Sequence, residues 1–176
     1  MRYLMLMILA TVLVWGGCSH VSSTGDAGPV ECNLGEYSSS FEIETQSDVA
    51  TLAGYTSISG TLTIDCPSCT NLDELICLTS VRDYLLIENN HLPNLDGLNA
   101  LTSVGWGLRI FNNSGLSNLD GLGALTSVGE GLLIGFNYPM HDCEVCDLLD
   151  QLTITPINIV VHNLSDTCTP VPENCP

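Results

Sequence analysis

Cysteine is the residue type in this sequence that most directly offers chemistry. Two pairs have the Cys-x-x-Cys spacing, Cys66 with Cys69 and Cys143 with Cys146. Such a pair can act as a redox dithiol, which needs a helix N-terminus to lower the thiol pKa, or it can supply half of a zinc site. In the repeat pattern described below, the two pairs lie three repeats apart, too far to share one metal ion. We therefore expect disulfides with a structural role.

The chain has nine cysteines, and eight of them are the disulfide candidates. An exported protein meets an oxidising compartment, so four bridges are expected, although the sequence does not decide their connectivity. The candidates form an N-terminal set, Cys32, Cys66, Cys69 and Cys77, and a C-terminal set, Cys143, Cys146, Cys168 and Cys175. We expect each set to pair within itself, and Cys69 and Cys77 could meet because both take inward positions of one return.

The other polar residues give little sign of catalysis. No histidine among positions 20, 91, 141 and 162 has a second ligand at helical spacing, and no nucleophile elbow or phosphate loop occurs. Asp96 and Asp120 recur at equivalent positions, but each lacks the neighbouring ligands that calcium needs. A hydrogen bond from a local backbone N–H to each carboxylate is the expected alternative. We predict a non-catalytic protein without metal or cofactor.

The charge balance of the 176-residue chain limits the class of partner. Three Lys and Arg residues stand against 20 Asp and Glu residues, which gives a formal net charge of −17. Nucleic acid is excluded as a partner because phosphate binding needs clustered cations. Hydrophobic residues make up 45% of the chain, enough for a core, so the acidic surface serves solubility or attracts cations and basic partners.

An internal repeat organises the middle of the chain. The tripeptide Thr-Ser-(Ile/Val) begins at residues 56, 79, 102 and 126, which are 23, 23 and 24 residues apart. Each copy is followed by an alternating apolar pair, then in three copies by asparagine, at Asn89–Asn90, Asn112–Asn113 and Asn137. Leucines at spacing three then follow, as at 92, 95, 98 and 101. A fixed period in the low twenties is typical of a solenoid, in which neighbouring repeats bury a common core.

The periodicity assigns a structure to each part of the repeat. The alternating pairs Leu62/Ile64, Leu85/Ile87, Leu108/Ile110 and Leu132/Ile134 are expected to lie side by side as parallel strands with inward side chains. The spaced leucines predict a short helical or 3₁₀ return, and inward asparagines predict a ladder of hydrogen bonds. Phe41–Glu44 and Asn158–Val161 are candidates for the first and last strands. The predicted fold is an α/β solenoid with one parallel sheet and short helical or irregular returns.

The repeat units, from the segment 48–64 to the two Asn-Leu-Asp-Gly-Leu copies at 94–98 and 118–122, resemble the receptor L domain. That family forms the leucine-rich-repeat-like ligand-binding lobe of insulin-type and epidermal-growth-factor-type receptors and also occurs in bacterial surface proteins. The resemblance covers about residues 32–165. It implies a right-handed, leucine-rich-repeat-like β-helix and carries no particular ligand to this chain.

The N-terminus has the features of an export signal. Met1–Arg2 is positively charged, and residues 3–15 form an apolar run that is shorter than the 20 or so residues of a membrane span. Gly16–Gly17–Cys18 resembles the lipobox of bacterial lipoproteins, in which cleavage precedes a lipidated cysteine, although Trp15 stands where that family has leucine. Ordinary cleavage near Gly17 and an uncleaved anchor remain alternatives. The expected organisation is a signal peptide at 1–17, a lipidated Cys18 with a linker to 31, and a repeat domain at 32–176.

The outward positions of the strands are the candidate binding face. Reading across the repeats, the first outward position is Glu42, Thr63, Leu86, Arg109 and Leu133, and the second is Glu44, Asp65, Glu88, Phe111 and Gly135. Exposed apolar side chains around a cation, with acidic neighbours, are typical of a contact site. The predicted binding residues are Leu86, Glu88, Arg109, Phe111 and Leu133.

Together these features predict an exported surface lipoprotein that binds a protein or a glycan and reaches the membrane through its lipid. Ser19, after the lipidated residue, favours the outer membrane by resemblance to that family, and secretion is the alternative location. A structural envelope protein without a specific ligand is the second hypothesis. A thiol–disulfide redox protein that uses Cys66 and Cys69 is the third.

Overall fold

The protein consists mainly of two parallel β-sheets. The computed structural model describes residues 30–141 and 143–153, and the backbone of 158–162. The first sheet has five strands, β1 (Gly35–Tyr37), β3 (Tyr55–Ile58), β5 (Ser80–Val81), β7 (Ser103–Val104) and β9 (Ser127–Val128). The second has six, β2 (Phe41–Ile43), β4 (Leu62–Ile64), β6 (Tyr84–Glu88), β8 (Gly107–Phe111), β10 (Gly131–Gly135) and β11 (Asn158–His162).

Successive strands up to β10 alternate between the two sheets, and each strand pairs in parallel with the strand from the neighbouring repeat. The prediction of one parallel sheet is therefore wrong, because the Thr-Ser-(Ile/Val) segments form a second one. Their strands are mostly only two residues long, too short to show an alternating pattern in the sequence. The strands predicted at both ends of the repeat region are present as β2 and β11.

The inward side chains of the six-stranded sheet form two continuous apolar rows. Leu62, Leu85, Leu108 and Leu132 are register partners across neighbouring strands, as the repeat spacing predicts. Ile43, Ile64, Ile87, Ile110 and Ile134 form the second row. All of them are essentially inaccessible to solvent. Burial of a side chain of this size contributes about 1.5–3 kcal/mol, so these rows supply a large part of the stability.

Short 3₁₀ turns form the returns from one strand to the next. They span Asp73–Leu75, Asp96–Leu98 and Asp120–Leu122, as the leucine spacing predicts. The expected bonds to the carboxylates of Asp96 and Asp120 are absent from the described residues. Instead the backbone N–H of each turn's first aspartate donates to an asparagine side chain two residues earlier, as Asp120 does to Asn118 at 3.2 Å. The asparagine of Asn-Leu-Asp-Gly-Leu therefore starts the turn.

Threonine at the start of each repeat links neighbouring repeats outside the core. The backbone N–H and the side-chain hydroxyl of Thr79 both donate to the carbonyl oxygen of Thr56, each at 2.8 Å. Thr102 makes the same two bonds to Thr79, and the column continues through Thr126 to Thr153. Because each threonine makes two hydrogen bonds to the preceding repeat, threonine recurs at this position.

Three buried asparagines form the ladder that the sequence predicts. The Asn113 amide nitrogen donates to the Ile87 carbonyl and to the Asn137 side-chain oxygen, both at 2.9 Å. Its own side-chain oxygen accepts from the backbone N–H and the side chain of Asn90. Asn90 and Asn137 repeat the bond to an inward carbonyl, at Ile64 and Ile110. The ladder thus satisfies backbone groups that are closed off from water.

Glycines allow the returns to pack closely against each other. A Cβ atom on Gly97 would collide with the carbonyl of Leu72, and one on Gly121 would collide with the carbonyl of Leu95. These glycines are therefore needed for the close approach of neighbouring returns, and not for a left-handed backbone. Among the described residues other than glycine, the left-handed positions are the strand exits at Asn89, Asn112 and Phe136, with φ of 56–57°. Asparagine tolerates this conformation well, whereas phenylalanine rarely adopts it.

Two α-helices lie near the ends of the repeat region, α1 (Gln46–Thr51) and α2 (Cys143–Gln151). At the start of α1, the Asp48 carboxylate accepts hydrogen bonds from the Thr45 hydroxyl and from the backbone N–H groups of Thr45 and Glu44. These bonds hold the pKa of Asp48 below its ordinary value. Across the described residues, no helix is long and apolar enough to cross a bilayer.

Replacement of Asn113 by alanine should lower the free energy of unfolding by about 2–5 kcal/mol, because it leaves the buried Asn90 N–H without its acceptor and removes the bonds to Ile87 and Asn137. Urea unfolding of the oxidised protein measures this change. Asn99, which is exposed at the end of a 3₁₀ turn, provides the matched control. Its alanine variant should remain within about 0.5 kcal/mol of the parent. Equal losses for the two variants would contradict the role of the ladder.

Candidate functional site

The outward positions on β6, β8 and β10 form one continuous surface, which we call the outer face. Its residues are Tyr84, Leu86, Glu88, Gly107, Arg109, Phe111, Gly131, Leu133 and Gly135. The strands that carry them are held in register by the inward leucines and isoleucines. The predicted binding residues Leu86, Arg109 and Leu133 are direct register partners, so the expected row exists. On the β4 and β2 side, the row continues through Thr63 to Glu42.

The second outward row is also formed on these strands. Glu88 is the register partner of Phe111, which in turn pairs with Gly135. Gly135 is buried, whereas Glu88 and Phe111 are partly exposed. Farther along the row, Asp65 accepts a hydrogen bond from the side chain of Asn89 at 2.9 Å. This end of the outer face is therefore polar and held by local bonds.

Arg109 links the two rows. Its Nε atom lies 3.1 Å from Glu88 Oε1, and both atoms are shielded from water although they are not aligned as a hydrogen bond. The guanidinium carbon also lies 4.9 Å from the centre of the Phe111 ring, a cation–π contact. Phe111 in turn packs edge-to-face against Phe136, with the ring centres 5.0 Å apart. Arg109 thus contacts both a carboxylate and an aromatic ring while its side chain stays 43% exposed.

An open groove of about 460 Å³ runs along the outer face. Its lining is mostly apolar and consists of Tyr84, Leu86, Gly107, Leu108, Arg109, Gly131, Leu132 and Leu133. Tyr84, Gly107 and Gly131 are successive register partners along one outward row, and the absence of a side chain at Gly131 leaves space in the groove. The Tyr84 ring leans over Gly107, because the first atoms that a Cβ there would meet belong to this ring. Ligand sites commonly have volumes of about 300–1,000 Å³.

Sequence reasoning missed two aromatic residues at this groove. Tyr84 and Trp106 pack against each other with ring centres 5.8 Å apart and planes at 68°, and we call them the aromatic pair. Tyr84 is 40% exposed and Trp106 is 51% exposed. The missed signal was the alternation itself, since Tyr84 precedes Leu86 by two residues and so shares its outward direction.

The disulfides follow the expected grouping in the N-terminal set. Cys32 is bonded to Cys77, and Cys66 is bonded to Cys69, so the suggested contact between Cys69 and Cys77 is wrong. Cys77 instead ties the segment before β1 to the first return. In the simple entropy model, a disulfide that closes a loop of that length stabilises the folded protein by about 4 kcal/mol, because it restricts the unfolded chain. Cys143 and Cys146 are also disulfide-bonded. Cys18, Cys168 and Cys175 lie outside the described residues.

The Cys66–Cys69 pair takes a structural place in the repeat. The backbone N–H of Cys66 donates to the Asn90 side chain at 2.8 Å, and so it occupies the end of the asparagine ladder. Cys66 is completely buried, and Cys69 is 4% exposed. Because thiol–disulfide exchange requires access to a sulfur atom, this burial argues against exchange in the folded protein.

Among the described residues, no group of three or more His, Cys, Asp or Glu side chains could hold a metal ion. His91 contacts the Pro67 carbonyl at 3.0 Å, and its ring packs on the neighbouring repeat. His20 lies outside the described residues. No family model matches the chain, and the search of curated proteins finds no significant match.

The Arg109–Glu88 contact should show a coupling free energy of about 0.5–1 kcal/mol in a double-mutant cycle of alanine variants, measured by urea unfolding at low salt. The coupling should decrease as salt is added, because the pair remains partly exposed. Arg82 and Asp83 are the control pair, since neither makes an ion pair within the described residues. If the coupling free energy is zero within error for both pairs, Arg109 and Glu88 are energetically independent.

Proposed function

We propose that this chain is an exported, membrane-anchored, non-catalytic binding protein that recognises a protein or glycan ligand through its outer face. The observation that carries the proposal is the apolar groove between Tyr84, Leu86 and Leu133, which is built on strands held rigidly by the repeat core. Binding sites placed on regular strands keep their side chains in fixed relative positions. No nucleic acid is expected as a ligand, because the net charge is −17.

In this proposal the repeats form a right-handed, leucine-rich-repeat-like solenoid of the receptor L-domain type. The alternation of strands between two parallel sheets supports it, because a chain that winds repeatedly around one core adds one strand to each sheet per turn. The column of threonines and the ladder of asparagines also support it, since each residue bonds to its counterpart one repeat away. Such stacks create extended surfaces that are used for binding.

The location also belongs to the proposal and depends on the sequence. A positively charged start, an apolar run and Gly16–Gly17–Cys18 favour export followed by lipid attachment at Cys18. The lipid would hold the domain at a bacterial outer membrane, with release as a secreted protein as the alternative. Disulfides in the N-terminal part of the domain agree with an oxidising compartment.

Expression in a Gram-negative host with an alkyne-labelled fatty acid should yield a labelled protein whose N-terminal residue is the modified Cys18. Mass spectrometry of the N-terminal peptide identifies the modification directly. The Cys18→Ser variant should lose the label, whereas the Ser19→Ala variant should keep it. An unlabelled protein that begins near Gly17, or one that retains residues 1–17, would disprove the lipid anchor.

Leu133→Asn should weaken binding of any ligand of the outer face by about tenfold, because it replaces an apolar side chain of the groove with a neutral polar one. Ligands are first selected from a glycan array and a random peptide library with the full-length chain in uncharged detergent. Ser103→Asn is the matched control, because Ser103 is partly exposed on β7 of the other sheet.

Thermal unfolding of both variants verifies that each remains folded at the assay temperature. If no saturable ligand is found, or if both variants lose binding equally, the binding proposal fails. A structural envelope protein without a specific ligand is then the better description.

A further inference from the structure

The aromatic pair forms a corner at one end of the groove. Because the Tyr84 and Trp106 planes meet at 68° with their centres 5.8 Å apart, the corner is bounded by one face of each ring. Both rings are about half exposed, although large aromatic side chains gain by burial. The face of an aromatic ring attracts a cation placed within about 6 Å of its centre. The corner can therefore offer two ring faces to one positive group.

Acidic residues occupy the positions equivalent to Trp106 in the two neighbouring repeats. The Trp106 N–H donates to the Asp83 carbonyl at 3.0 Å, and the Glu130 N–H donates to the Trp106 carbonyl. Asp83, Trp106 and Glu130 thus occupy one position in three neighbouring repeats, with a spacing of about 4.8 Å between strands. Asp83 is partly exposed and Glu130 is exposed, so both carboxylates can approach a ligand at the aromatic pair.

The surrounding charges favour a positive ligand over a negative or neutral one. Arg109 is paired with Glu88 and lies over Phe111, and these contacts offset part of its charge. Arg82, beside Asp83 in the sequence, is the other cation among the described residues, and it opposes a positive ligand. The chain as a whole carries a formal net charge of −17, which concentrates cations near its surface.

We infer that the groove binds a basic peptide segment, with a lysine or arginine side chain between Tyr84 and Trp106 and a neighbouring apolar side chain over Gly131. The cation meets two ring faces and the carboxylates of Asp83 and Glu130. The apolar side chain fills the part of the groove next to Leu86 and Leu133, where glycine leaves space. This inference rests on the proposed binding function of the outer face and names the class of its ligand.

The test uses three capped peptides of equal length that differ only in charge, with the sequences Leu-Arg-Leu-Arg-Leu, Leu-Gln-Leu-Gln-Leu and Leu-Glu-Leu-Glu-Leu. Calorimetric titration of the full-length chain in uncharged detergent should give the tightest binding for the arginine peptide. Its affinity should exceed that of the glutamine peptide by about tenfold at low salt and should decrease as salt is added.

Variants of the protein separate the cation–π contact from simple apolar contact. Trp106→Leu keeps an apolar side chain but removes the ring face. It should lower the affinity for the arginine peptide by about five- to thirtyfold. Trp106→Phe keeps a ring and should restore most of that affinity. Binding of the glutamine peptide should change little in either variant.

The charge variants should change the affinity for the arginine peptide in opposite directions. Asp83→Asn and Glu130→Gln should each lower the affinity for the arginine peptide by about two- to threefold, whereas Arg82→Gln should raise it by about twofold. No change in any of the three variants would overturn the electrostatic part of the inference. Equal affinities for the three peptides would overturn the inference as a whole.

The same measurements distinguish this inference from the underlying function. If a glycan or a neutral peptide binds and is lost in Leu133→Asn, the outer face is a binding site but its ligand is not basic. If no ligand of any charge is sensitive to Leu133→Asn, both the inference and the proposed function fail.

Discussion

The buried asparagine ladder is the interaction on which the rest of the structure depends. At the exits of β4, β6 and β8, an asparagine amide from the next repeat donates to the carbonyl of the inward isoleucine, at Ile64, Ile87 and Ile110. An asparagine amide can donate to that carbonyl and also to the next asparagine, so one residue serves two repeats. Because each amide must reach its neighbour, the repeats cannot slip against each other, and the leucine and isoleucine rows stay in register.

That register has an unequal effect on the two sides of the sheet. The inward positions are nearly uniform, with leucine in one row and isoleucine in the other, because each has to fill the same space against the same neighbours. The outward positions carry no such requirement, and they change from Thr63 to Leu86 to Arg109 along one row. The repeat core therefore provides fixed positions, and the variable outward residues give the outer face its chemical character.

Much of the fold could be predicted from the sequence, because inward packing leaves a periodic trace. The Leu-x-Ile strands, the 3₁₀ turns and the ladder all follow from side chains that repeat at fixed spacing. The five-stranded sheet could not be predicted, since most of its strands bury one apolar residue each, as at Val81 and Val104, and two-residue strands carry no alternation. The bond between Cys32 and Cys77 was equally hidden, because Cys32 precedes the repeats and so has no equivalent position in them.

The candidate site could be predicted only in part. Leu86, Arg109 and Leu133 follow from the repeat frame, because equivalent positions become neighbours in a parallel sheet. The contact between Tyr84 and Trp106 does not follow, because these residues are not equivalent in the repeat and meet only through the lean of the tyrosine over Gly107. Side-chain direction near strand ends depends on local packing, which a repeat pattern does not specify.

The near identity of the junctions between repeats has an evolutionary consequence. The pairing of β6 with β8 uses the same register and the same inward side chains as the pairing of β8 with β10, so either neighbour would accept the other's place. A unit of 23 or 24 residues can therefore be gained or lost as a whole, with the copy number changing the reach of the sheet by roughly 4.8 Å each time. Unequal recombination within such a gene would lengthen or shorten the exposed surface in a single event.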